Sequence, residues 1–109
     1  MIKPLFSIII PIYNSSDTII KTVNSVLKQT YSNYEIIIID DGSTDNTSII
    51  LKKIKDKRIR LFRIKRSGGP AKPRNYGIKK SKSNWICFLD SDDLWENNKL
   101  SIISKQIKK

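Results

Sequence analysis

Histidine is absent from this chain of 109 residues. Without an imidazole, zinc-hydrolase sites and Ser-His or Cys-His nucleophilic catalysis are excluded. Cysteine occurs once, at Cys87, so no intrachain disulfide can form, and its place inside an apolar run reads as a buried, inert thiol. Long apolar runs are missing as well. Leu5 to Ile12 is interrupted by Ser7 and Pro11 and is too short to cross a bilayer. It also lacks a small-residue cleavage site and leads straight into a patterned fold, so it is not read as a signal peptide, and a cytoplasmic location is expected. Glycine-rich phosphate loops are lacking: there is neither G-x-x-x-x-G-K-[ST] nor G-x-G-x-x-G after a strand, and Ser67-Gly68-Gly69-Pro70 reads as a turn.

Acidic residues are scarce, 10 against 21 Lys and Arg, for a net charge of +11. The basic residues gather at Lys52 to Arg66, Lys79 to Lys82 and Lys99 to Lys109. Such a surface can attract phosphate, nucleic acid or anionic lipid. Most of these lysines flank helices and interleave with apolar positions, as solvated helix faces do. No aromatic residues interleave with them in an RNA-binding pattern, so nucleic acid is not an expected partner. Peripheral contact with the inner face of a membrane is the association that the basic surface would suit.

The length suffices for one small domain with one core, and the 39% hydrophobic content is ordinary for a globular chain. Apolar runs alternate with helical patterns. Phe6 to Ile12 reads as a strand. Asp17 can cap a helix over about Thr18 to Gln29, with Ile19, Ile20, Val23, Val26 and Leu27 on one face. Glu35 to Ile39 is apolar and β-branched after its first residue, which suits a strand covered on both sides. Gly42 allows a turn, and Ser43, Thr44 or Asp45 can cap a helix to about Lys55 with Ile49, Ile50 and Ile54 inward. Arg58 to Ile64 alternates as a half-exposed strand should. A short helix over Arg74 to Lys80, a strand at Trp85 to Leu89 and a helical pattern through Leu100, Ile103 and Ile107 complete a β-α-β-α-β-α-β-α order. Such alternation predicts an α/β fold: a Rossmann-like, mostly parallel sheet with helices on both faces.

In open α/β sheets ligands bind beyond the carboxyl ends of the strands. The segments expected there are Pro11 to Asn14, Asp40 to Ser43, Ser67 to Arg74 and Asp90 to Asp93. Two of these close apolar runs with clustered carboxylates: Ile36-Ile37-Ile38-Ile39 runs into Asp40-Asp41, and Trp85-Ile86-Cys87-Phe88-Leu89 into Asp90-Ser91-Asp92-Asp93. Like charges that close repel, and a cation between them offsets the cost. Asp90 and Asp92, one residue apart at a strand end, can converge on a hard cation, or can simply favour a helix N-terminus. With no histidine, any metal is bound by oxygen, which favours Mg2+ or Mn2+. Asp41 can accept hydrogen bonds from a ribose or a base N–H, Asp40 can bond loop amides, and Asp45 is most simply a cap. Arg74, on the ligand edge, suits bidentate phosphate or base contacts, or lies on the surface.

Together these residues resemble the nucleotide-binding half of a family 2 glycosyltransferase with the GT-A fold. The resemblance rests on four ordered blocks: Ser7 to Asn14 (SIIIPIYN), Glu35 to Asp45 (EIIIIDDGSTD), Arg74 to Gly77 (RNYG) and Phe88 to Asp93 (FLDSDD). It implies that Pro11 and Tyr13 line the base pocket of a nucleotide sugar and that Asp41 contacts the base. It further implies that Arg74 lies near the nucleotide, that Asp90 approaches ribose or metal, and that Asp92 binds Mn2+ or Mg2+ bridging the diphosphate. The donor would be a nucleotide sugar, by default a UDP-sugar, and the acceptor a hydroxyl of a glycan or lipid-linked glycan in cell-surface polysaccharide assembly, with inversion.

Two departures stand out. Pro73 replaces the small residue usual before the arginine of the third block, which bears on where Arg74 sits. The chain also stops at Lys109, whereas family members continue into the acceptor site and the catalytic base, so residues 1–109 are expected to be a single donor-binding domain of a truncated GT-A fold. Asp93 and Glu96 are nearby carboxylates, but the family does not use those positions as the base. The rival reading is a non-catalytic nucleotide-binding module that needs a partner. Without its cover, such a domain would leave its last strand as an exposed edge and is expected to be marginally stable or to self-associate.

Overall fold

A computed structural model describes residues 4–107; the terminal lysines of the last basic group, Lys108 and Lys109, lie outside them. Eight elements follow the expected order: β1 (Phe6–Ile12), α1 (Ile19–Leu27), β2 (Tyr34–Asp41), α2 (Thr47–Lys52), β3 (Ile59–Ile64), α3 (Ala71–Lys80), β4 (Trp85–Phe88) and α4 (Lys99–Ile107). The strands form one sheet in the order β3-β2-β1-β4, and every pairing is parallel. The chain builds outward from β1 to β3 and then crosses back to lay β4 on the other side of β1. The topological switch point therefore lies between β1 and β4, where a crevice opens outside the strand ends.

The two central strands explain why this sheet forms. All eight residues of β2 are buried, as a strand covered on both faces requires. Strand alternation divides their isoleucines between two layers. Ile8, Ile10, Ile36 and Ile38 pack under α1, α2 and α4 with Val23, Val26, Leu51 and Leu100. Ile9, Ile37 and Ile39 face α3 with Phe62, Ile64 and Tyr76. The second layer is thin, and Gly77 makes it possible: a Cβ there would lie 2.7 Å from Ile9 Cγ2. On the same side, at the strand starts, Glu35 is buried among the Ser7 hydroxyl (2.6 Å), the Lys82 amide (2.7 Å) and Arg60 Nη1 (2.9 Å). Burial would raise its pKa, but these donors outweigh burial and hold it below the usual carboxylate range.

Several expectations change in detail. Asp17 does not cap α1: Thr18 holds the N-cap position and no side chain caps it. The second helix ends at Lys52 rather than Lys55, and Ile49 points outward, 59% exposed, because the inward positions belong to Thr47 and Leu51. Asp45 does bond the start of α2, accepting from the Thr47 amide at 3.0 Å and from its hydroxyl. Helix α3 begins three residues early, at Ala71, with Pro73 buried in its first turn, where a missing N–H costs nothing. Strand β4 is the exposed edge strand expected, and Trp85 and Phe88, which an apolar run would suggest to be buried, are about half exposed. Cys87, in the same strand, is partly buried, and burial pushes its thiol pKa up, as expected of an inert thiol.

Candidate functional site

The carboxyl ends of β1, β2 and β4 and the loop before α3 surround two adjoining clefts. The larger, about 490 Å³, is bounded by Tyr13, Asn14, Ser15, Asp17 and Thr18 on one side and by Asp90, Ser91 and Asp92 on the other. The smaller, about 220 Å³, is bounded by Ile12, Asp41, Arg66, Gly69 and Pro73. Pro11, Tyr13 and Pro70 line both, so the two are compartments of one depression. Every candidate residue except Arg74 therefore lines it directly. Arg74, in α3, reaches the end of β4, with Nη2 3.4 Å from Asp90 Oδ1 and its guanidinium 5.5 Å from the Phe88 ring. Pro73 has not carried it away from the site.

Tight loops create the clefts. Asn14 takes a left-handed turn, φ 47°, two residues after β1. Its amide donates to Ser43 Oγ at 2.9 Å, and its Oδ1 accepts the Thr44 and Asp45 amides at 2.8 and 3.2 Å. One asparagine thus ties the β1 end to the β2 end. Ser91, between the two aspartates, is clamped in turn: its carbonyl accepts the Thr18 and Thr22 hydroxyls at 2.9 and 2.8 Å, and its hydroxyl accepts from Ser15 at 3.0 Å. These bonds fix the backbone while Asp90 and Asp92 stay exposed.

Asp40 and Asp41 part company. Asp40 is fully buried, accepting the Ser43 amide at 2.8 Å and pairing with Arg63 at 3.1 Å, as a loop-bonding residue should. Asp41 turns to the smaller cleft. Its Oδ1 accepts the Ser67 amide at 2.8 Å; its Oδ2 accepts Arg66 Nη1 at 2.7 Å and the Ser67 hydroxyl at 2.9 Å. Burial raises its pKa, but these donors prevail and keep it ionised below the usual range.

Among the described residues no group of three or more His, Cys, Asp or Glu gathers as a metal cage. Two exposed carboxylates on one cleft nevertheless fit a hard cation that takes its remaining ligands from phosphate and water, as Mg2+ commonly does.

Sequence reasoning missed Arg66. Its guanidinium lies over the Tyr13 ring, 3.5 Å from the centroid, as well as on Asp41. Reading the run Lys52 to Arg66 by its overall charge concealed a pattern within it: Arg58, Arg60, Arg63 and Arg66 each pair with an acid. The available signal was position, since Arg66 follows β3 on the ligand edge.

Known proteins resemble the chain over nearly its whole length. A β-1,3-glucosyltransferase of Escherichia coli, WfaP, named for UDP-Glc and α-D-GlcNAc-diphosphoundecaprenol, is 53% identical over 97 residues, 89% of this chain and 39% of that protein. A second E. coli protein named for the same activity, WfgD, is 45% identical over 105 residues, 95% of this chain and 42% of its own. The crystal structure of S. aureus TarS 1–349 in complex with UDP-GlcNAc superposes with a TM-score of 0.92 at 35% identity, covering 95% of this chain and 31% of that one. The chain thus spans about two-fifths of the length of these curated relatives. The model of glycosyl transferase family 2 matches residues 7–109, and the chain belongs to that family.

Proposed function

We propose that this chain carries the donor-binding portion of an inverting, metal-dependent glycosyltransferase that moves a sugar from a UDP-sugar to an acceptor hydroxyl. The observation that carries this reading is the joining of the two clefts through Pro11, Tyr13 and Pro70, with Asp41 in one and Asp90 and Asp92 in the other. A nucleoside diphosphate has the same division, an aromatic base at one end and concentrated negative charge at the other. Tyr13 and the prolines offer the base flat apolar surface, and Asp41 offers it an ionised acceptor. Asp90 and Asp92 would hold Mn2+ or Mg2+, which when bound neutralises charge on the leaving diphosphate. Arg74, beside Asp90, would add positive charge near the phosphates. In the reaction the bond from the sugar's anomeric carbon to phosphate oxygen breaks with its electron pair going to the nucleotide. The acceptor oxygen bonds to the opposite face of that carbon and gives up its proton. No described residue is assigned as the base that takes that proton. UDP is favoured as donor nucleotide by the activities for which WfaP and WfgD are named and by the ligand in the TarS complex. A lipid-linked glycan is favoured as acceptor by the first two, and such an acceptor would bring the protein to the inner face of a membrane.

Calorimetric titration of UDP tests the reading. Binding in Mn2+ that weakens at least about tenfold in EDTA, and likewise in Asp92→Asn, is expected. Binding indifferent to both would remove the metal role from these residues.

A further inference from the structure

We propose that a recess at the strand-start edge of the sheet, away from both clefts, binds a phosphate group through Lys57, Arg58, Arg60 and Lys82. The recess, about 300 Å³, lies where the start of β2, the turn before β3 and the loop after α3 meet, and these four cations line it. Among the described residues Glu35 is the one acid that borders it, and its charge is already spent. Its Oε1 accepts from Arg60 Nη1 at 2.9 Å, and its Oε2 accepts the Ser7 hydroxyl at 2.6 Å and the Lys82 amide at 2.7 Å. Strand β2, eight residues at about 3.3 Å each, sets the recess roughly 23 Å from Asp41. Salt screens charge over about 8 Å. This group of cations therefore does not serve the nucleotide, and its role is independent of the donor-site reading.

Two of the cations are held in fixed orientation. Arg58 is gripped by Asp56, whose Oδ1 accepts Nε at 3.0 Å and whose Oδ2 accepts Nη2 at 2.9 Å, and it lies over the Tyr34 ring, 4.5 Å from the centroid. Arg60 spends Nη1 on Glu35 and on the Lys80 carbonyl at 2.8 Å, which leaves Nε and Nη2 as donors. The two arginine side chains stay 32% and 29% exposed, so a ligand can reach them. The ammonium groups of Lys57 and Lys82 are exposed and make no hydrogen bond or ion pair among the described residues. Cations that face one recess repel, and an anion between them lowers that energy. Phosphate suits the arrangement better than carboxylate does. Its oxygens point in tetrahedral directions, so they can accept from guanidinium and ammonium groups on separate segments at once, and a second charge answers more of the surplus. A phosphate held there would tie the starts of β2 and β3 to the loop after α3.

The test is to titrate inorganic pyrophosphate into the wild type and the double variant Lys57→Gln/Lys82→Gln, in metal-depleted buffer at constant ionic strength, while following backbone amide resonances. Saturable shifts at Tyr34, Arg58, Arg60 and Lys82 are expected in the wild type, with binding at least about tenfold weaker in the variant. The melting temperature of the wild type should rise with pyrophosphate, and that of the variant should rise less. If the double variant does not fold, Lys57→Gln alone carries the test. Shifts that never saturate and spread over the lysines of α2, α3 and α4, or binding unchanged in the variant, would overturn the proposal. So would saturable shifts at Tyr13, Asp41 and Ser91 in place of the recess. Vesicles of phosphatidylcholine, with and without phosphatidic acid, then distinguish the source of the phosphate. Binding that needs phosphatidic acid, is displaced by pyrophosphate and weakens in the variant would support the site as one for a lipid headgroup. Pyrophosphate binding with no vesicle binding would support it as one for a soluble phosphate compound.

Discussion

Asp40 and Asp41 are the same residue type side by side in one strand, and what surrounds each decides its role. Asp40 is sealed between the Ser43 amide and Arg63, whereas Asp41 borders a cleft and retains acceptor capacity. Replacing either by Asn leaves charged or amide donors facing a weaker acceptor, at a cost of about 1–3 kcal/mol. The two should differ in binding. Asp40→Asn is expected to lower stability in denaturant melts with UDP affinity kept, and Asp41→Asn to lower UDP affinity by at least about tenfold. Equal effects on UDP would remove the distinction. The acidic residues were legible because clustered carboxylates after apolar runs have few structural uses. Arg66 and Asn14 were not, because a lone Arg in a basic run and a lone Asn in a turn acquire meaning only from partners 25 to 31 positions away.

At the scale of elements, type and order could be read from the sequence, and ends and faces less well. The isoleucine runs of β1 and β2 permit little besides buried strands. Helix α2 is six residues long, too short for its apolar pattern to repeat, and the expectation of an inward Ile49 fails for that reason. Asp17 looked like a cap because it precedes an amphipathic run, but the bend after Asn14 turns it toward the larger cleft. The closeness of α3 to the sheet gives a prediction at this scale. Gly77→Ala would add helix propensity of about 1 kcal/mol yet drive a methyl into Ile9, and overpacking of this kind costs about 1–3 kcal/mol. A net loss of stability is expected in urea melts; a gain would mean that α3 can lift from the sheet freely.

For the molecule as a whole, charge sets the pH window. Glu35, Asp41 and Asp56 are all held below their ordinary pKa: in the first two donors outweigh burial, and in Asp56 the hydrogen bond from Arg58 leads. Folded values below unfolded ones mean full stabilisation above about pH 4–5, lost as pH falls through the folded values. Cys87 and Tyr34 are raised by burial, so the unfolded chain ionises first and stability declines above about pH 8.5–10. A plateau from about pH 5 to 8 is expected in thermal melts, with the acid limb shallower in Glu35→Gln if the mutant folds. The central claim, that two clefts form one nucleotide site, can be tested most directly by following backbone amide resonances while UDP and then trace Mn2+ are added. Joint shifts at Tyr13, Asp41, Ser67 and Ser91 on adding UDP, with Mn2+ broadening strongest around Asp90 to Asp92, are predicted. Shifts confined to one cleft, or gathered at the opposite sheet edge near Arg58 and Lys82, would contradict the account.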